Sequence, residues 1–173
     1  MNGTGTRALQ VEVQFAARRP WVPAAGALRR WASAAHAAAA GRRARARGTH
    51  DAVDRLCIRV VGRSGSRRLN SAYRGRDKPT NVLSFAASPA EREFGRALGD
   101  LAICATVVAE EAREQGKSLP AHWAHMVVHG VLHLHGHDHQ RARAARAMER
   151  LEVEILRGLG YQNPYRPVTR SDQ

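Results

Sequence analysis

Five histidines fall within the eleven residues His129-Gly-Val-Leu-His-Leu-His-Gly-His-Asp-His139, and no other stretch constrains the fold as much. His129 and His133 stand four apart, so on a helix both imidazoles leave the same face, one turn from each other. Gly136 can take the left-handed conformation that ends a helix, and the turned chain then brings back His139, six residues after His133, as a third nitrogen donor. Three imidazoles around one cation leave a position open for water, whose pKa a bound zinc brings to about 7. The stretch therefore asks for a helix that stops at Gly136 and a turn that folds back over its end.

The residues before it supply that helix. Ser118 is an N-cap with Pro120 just inside, and Met126, Val127, Val131 and Leu132 give the side away from the histidine pair an apolar character. The spacing His-x-x-x-His-x-x-Gly-x-x-His is that of long zinc-protease motifs, but those enzymes need a glutamate directly after the first histidine as general base. Here that position is Gly130, so the pattern predicts a metal site without peptide hydrolysis. His135 and His137 point off the ligand face or sit in the turn, and His122 and His125 read as surface or satisfied core histidines, His125 being near enough to approach the ligands from behind. Asp138, beside His139, is placed to orient an imidazole by accepting its second N–H, or to stabilise the turn.

Four stretches read as strands: Leu9 to Phe15, which alternates apolar and polar, Leu56 to Val61, Val82 to Phe85, and Leu98 to Cys104. Helical patterns cover Ala24 to about Ala40, with Leu28, Trp31 and Ala35 on one face, then Ser66 to Tyr73 and Thr106 to Gln115. The histidine helix follows, and a last helix from about Gln140 to Gly158 buries Ala144, Met148, Leu151, Ile155 and Leu159. Ala86 to Gly95 reads as a surface loop. Strands and helices do not alternate regularly, which predicts an α+β fold: a small mixed four-stranded sheet covered by about five helices, with the metal site at the end of a central helix. The 173 residues suit a single domain, frayed at 1–8 and 166–173 and carrying a basic loop at 41–50.

A formal net charge of +13 and a pI near 11.4 point to a polyanionic partner, nucleic acid before membrane. Nine arginines and one acid, Glu12, fall in the first 50 residues, so most of the excess charge lies outside the histidine stretch. Arg42, Arg43, Arg45 and Arg47 mark either a solvated connection or an RNA-contacting loop. Cys57 and Cys104 lie in apolar stretches as free thiols, which fits a reducing compartment, and no apolar run approaches a membrane span. The expected location is cytoplasmic, with no membrane partner and no nucleotide cofactor.

A second dense region is Leu69-Asn-Ser-Ala-Tyr-Arg-Gly-Arg-Asp-Lys-Pro-Thr-Asn-Val-Leu-Ser-Phe85, where Arg74, Arg76 and Lys78 occupy a loop constrained by Gly75 and Pro79. Such a loop suits phosphate if it faces the metal. Together with the histidine stretch, Gly99-Asp-Leu-Ala-Ile103, and the segment from Met148-Glu to Leu159-Gly-Tyr161, it makes the chain resemble the YbeY family of metal-dependent endoribonucleases over about residues 54–165. The resemblance implies an α+β fold, one divalent ion, zinc foremost, on His129, His133 and His139, and a functional arginine at Arg74. It also implies cleavage of single-stranded RNA in ribosomal RNA maturation, at the 3′ end of the small-subunit RNA, and in ribosome quality control, with the ribosome or ribosomal proteins as partners.

In this reading Arg74 and His129 are catalytic, and Arg74, Arg76 and Lys78 bind substrate. Arg74 neutralises charge on the phosphorane, while Gly130 leaves no strong general base in the helix. The rival reading is a non-catalytic RNA-binding assembly factor in which the ion is structural.

Overall fold

The computed structural model describes residues 8–17, 19, 21–43, 53–137 and 140–166. The alternating stretch forms β1 (Leu9–Phe15), with Val11 turned to the core and Gln10, Glu12 and Gln14 to solvent. Helix α1 (Ala25–Arg43) follows and buries Leu28, Trp31, Ala32 and Ala35. Its Ala-rich body carries it through Gly41, because one helical glycine costs only about 1 kcal/mol against several good helix formers. Gly41, Arg42 and Arg43 are thus helical and not part of a loop, whereas Arg45 and Arg47 lie outside the described residues.

The chain continues through β2 (Asp54–Val61), α2 (Arg63–Arg74), β3 (Val82–Ala86), α3 (Pro89–Phe94), β4 (Ala97–Cys104), α4 (Ala105–Glu114), α5 (Leu119–Leu134) and α6 (Ala142–Gly158). The four strands make one mixed sheet in the order β1-β2-β4-β3. The first three are parallel, and β3 runs antiparallel to β4 at the edge. The α+β architecture and the four-stranded mixed sheet are as the sequence predicts.

One sheet face carries Leu56, Ile58, Val60, Leu101 and Ile103, all buried, and is covered by α1 and α5, with α6 packed outside them. Full burial of each such side chain contributes roughly 1.5–3 kcal/mol, enough to anchor α5 on the sheet whatever its histidines do. Helix α2 packs on the other face, where Gly65 approaches Val61 and the Tyr73 ring meets the Phe85 ring edge to face with centroids 4.9 Å apart.

Helix α3 corrects the surface loop expected between Ala86 and Gly95. Its signal is a capping box: the Ser88 hydroxyl accepts from Glu91 N, the Glu91 carboxylate accepts from Ser88 N, and Pro89 stands in the first turn. Gly99 marks the tightest point of the sheet. Its φ of +140° is one that L side chains rarely adopt, and a Cβ there would lie 2.2 Å from the Phe85 carbonyl oxygen. Cys57 and Cys104 are both free thiols. No helix among the described residues is long and apolar enough to cross a membrane.

Helices α4 and α5 are tied by a polar contact inside the apolar frame. Glu111 receives His122 Nε2 at 2.8 Å and Asn81 Nδ2 at 3.1 Å. Burial pushes the Glu111 carboxyl up, but the hydrogen bonds from His122 and Asn81 outweigh it and hold the group below its ordinary value. A depressed carboxylate contributes stability that is complete above its unfolded pKa, about 4.3, and is lost as pH falls through the lower folded value. Glu111→Gln should therefore lower the Tm by a few degrees at pH 7, and the gap to the parent should close as melts are repeated below pH ~4. A gap that stays constant to low pH would show that the charge of Glu111 is not what stabilises the junction.

Candidate metal centre

Helix α5 begins as its sequence predicts. The Ser118 hydroxyl accepts from Ala121 N, with proline in the first turn, and Gly136 closes the far end with φ of +83°. Gly130 faces the sheet, where a Cβ would lie 2.8 Å from Leu101 and 3.3 Å from Val82. The missing glutamate of the protease pattern thus has a steric cause as well as a chemical effect, since no larger side chain fits between helix and sheet without displacing Leu101.

One step round the helix, His129 and His133 face each other, Nε2 to Nε2, at 3.1 Å. Two imidazole ligands of a tetrahedral zinc, each about 2.0–2.1 Å from the ion, stand roughly 3.3 Å apart, so the observed pair fits one shared ion. His139 and Asp138, the other residues assigned to the site from sequence, lie outside the described residues.

Sequence reasoning missed what stands behind the pair. His129 Nδ1 lies 2.7 Å from Glu152 Oε1, and Glu152, on α6, is fully buried. Its other oxygen accepts the hydroxyl of Tyr165, and His125 Nε2 stands 3.5 Å from the same oxygen. Burial alone would raise the Glu152 carboxyl, but hydrogen bonds involving His125, His129 and Tyr165 outweigh it and hold the group at about 2. Burial, and then the bond to Glu152, push the Tyr165 hydroxyl well above the usual tyrosine range, while burial pulls His125 down. His125, His129 and Glu152 present ligand atoms all within 4.8 Å of one another and form a second grouping that could hold a metal ion. A signal for Glu152 exists in the sequence: it falls four residues after Met148 and next to Leu151, where α6 turns its apolar side inward.

Two further histidines join the site helix to its neighbours. His122 is the buried partner of Glu111. His135, also buried, meets His36 of α1, Nε2 to Nδ1, at 3.1 Å and ties the end of the site helix to the first helix.

Arg74 is the last residue of α2 and is exposed, as are Arg76 and Lys78 in the loop behind it. The loop is clamped by α2 itself. Arg67 makes two 2.6 Å bonds to Asp77, Asn70 Nδ2 donates to Lys78 O at 2.7 Å, and Ser66 Oγ donates to Thr80 O at 2.9 Å. The bond from Arg67 lowers the Asp77 carboxyl, so that acid stays charged on Arg67.

Edge strand β3 stands between the arginine loop and the histidine pair. Phe85 packs on Tyr73, the neighbour of Arg74, and Ser84 donates to the carbonyl of Gly130, the neighbour of His129, at 3.3 Å. Consecutive strand residues point to opposite faces. The arginine loop and the histidine pair therefore flank the same edge strand from its two sides.

A histidine pair and a buried carboxylate on packed helices, with a basic loop across a sheet edge, define an α+β protein with a candidate metal centre. The family model described as Endoribonuclease YbeY matches residues 25–160. An Endoribonuclease YbeY of Alkalilimnicola ehrlichii is 54% identical over 162 residues, 92% of each chain. One of Methylococcus capsulatus is 57% identical over 113 residues, which span 65% of this chain and 75% of the relative. The solution structure of TM1509 from Thermotoga maritima, 18% identical, shares the fold with a TM-score of 0.55 over 91% of this chain and 99% of that one. The chain belongs to the Endoribonuclease YbeY family.

Proposed function

We propose that this chain is a single-domain endoribonuclease that uses a divalent ion, zinc foremost, to cut single-stranded RNA during ribosomal RNA maturation. The substrate would be the precursor at the 3′ end of the small-subunit RNA, with a further part in ribosome quality control in the cytoplasm. The observation that carries the reading is the Nε2-to-Nε2 approach of His129 and His133 on a helix of a YbeY-family chain.

His129 and His133, together with His139, would hold the ion, and Asp138 would orient an imidazole. A divalent ion there supplies a Lewis acid for a phosphoryl oxygen. Arg74 donates its fork of N–H groups to the non-bridging oxygens of the scissile phosphate and neutralises charge as it develops. Arg76 and Lys78 hold the neighbouring phosphates. Gly130 contributes no proton acceptor, so the 2′-hydroxyl or the attacking water loses its proton without help from that helix position.

The test is cleavage of single-stranded RNA by Arg74→Ala. The exposed side chain can be removed without disturbing the fold, and kcat should fall by about 10²–10³-fold with an unchanged Tm. Cleavage at the parent's rate would remove Arg74 from the reaction and favour the assembly-factor reading.

A further inference from the structure

Glu152 is a fully buried carboxylate that none of the roles above employs. An unpaired charge at such a position costs several kcal/mol, so its partners determine what it does. Its two oxygens face three neighbours: Oε1 takes His129 Nδ1 at 2.7 Å, and Oε2 takes the Tyr165 hydroxyl, with His125 Nε2 farther off at 3.5 Å. A separation of 2.7 Å is that of a charge-assisted hydrogen bond, and is shorter than the roughly 3.3 Å kept by two ligands of one tetrahedral zinc. His129 Nδ1 therefore carries the proton and donates it to Glu152. A neutral imidazole has a single N–H, so its lone pair is then fixed on Nε2, the atom that faces His133 Nε2 at 3.1 Å.

We infer that Glu152 is a positioning residue that selects the tautomer and ring orientation in which His129 offers Nε2 to a metal ion, and that Tyr165 latches Glu152 in place. The inference rests on the reading of His129 and His133 as metal ligands. It also decides between the two groupings that share His129. Glu152 is a hydrogen-bond acceptor behind the His129 imidazole, and His125 packs edge to face on that ring without binding metal. The latch comes from the segment after α6, so a residue beyond that helix takes part in holding His129 of α5.

The experiment combines the imidazole nitrogen spectrum of His129 with a chelator competition for zinc, in the parent, Glu152→Gln, Tyr165→Phe and His125→Gln. Long-range proton–nitrogen spectra of the metal-free parent should show His129 protonated at Nδ1, and zinc should perturb Nε2. Glu152→Gln keeps the volume but loses the charge, so the Nδ1–H form should lose population and zinc should bind about 10–100-fold more weakly. Tyr165→Phe should weaken binding in the same direction by less, and His125→Gln should stay within about twofold of the parent.

Zinc bound at Nδ1, or equal zinc affinity in Glu152→Gln and the parent, would overturn the inference while leaving the metal site standing. Weakening by His125→Gln as large as by Glu152→Gln would make the buried trio the metal site and overturn it as well. A parent that takes up no zinc would overturn the metal reading itself, and this inference with it.

Discussion

Alanine at position 129 should leave a folded protein that neither retains zinc against a chelator nor cuts RNA. The expected loss of affinity exceeds about 100-fold, because removing an outer partner of a metal ligand already costs about 10–100-fold. The His129 side chain is 27% exposed, so its removal opens little of the core, but it leaves Glu152 Oε1 without its nearest donor. That should cost about 1–3 kcal/mol of stability, which a denaturant titration separates from the functional loss. His133→Ala, which leaves the bond between His129 and Glu152 in place, should show the same loss of zinc and cleavage with a smaller change in stability. Zinc retained at the parent's affinity by both variants would exclude the pair as ligands.

The second large effect is on the fold. Gly99→Ala asks an L residue to adopt φ of +140° and places its Cβ 2.2 Å from the Phe85 carbonyl, 2.9 Å from a Leu134 methyl and 3.1 Å from Ala86 Cα. Two of those three neighbours are backbone, so relief requires β3 to move from β4. Backbone strain and overpacking of about 1–3 kcal/mol each add to roughly 4 kcal/mol, a large part of the stability of an ordinary domain. Urea unfolding should show an unfolding free energy lowered to that extent. A value within about 1 kcal/mol of the parent's would mean that the strand edge yields easily. Because Phe85 supports Tyr73, and Ser84 bonds to Gly130, a displaced β3 should also reduce activity in the protein that remains folded.

The parts of the fold that repeat with a period were legible in the sequence. The alternation of Leu9–Phe15, the stripe of Leu28, Trp31 and Ala35, and the cap and stop around α5 each impose one local structure, and local propensity agreed with tertiary packing there. The short helix after Ser88 was hidden because its six residues bury nothing, so no apolar period betrays it and only the capping box does. The spacing of His129 and His133 fixed which face they share, but spacing carries no information about what another helix places behind them. Glu152 and Tyr165 reach His129 from 23 and 36 residues away, through a packing of α5 on α6 that no local pattern encodes. A charged residue among the inward positions of α6 was the one local sign that something there needed a partner.

Eleven of the sixteen residues of α5 are buried, and the helix lies between the sheet, α1, α4 and α6. Amides in such an element exchange with solvent only when the whole molecule opens, whereas those of exposed loops exchange through local fluctuations. The backbone carrying His129 and His133 therefore shares the lifetime of the native state. The rate of global unfolding sets how long that backbone keeps its shape between turnovers and through transient heating.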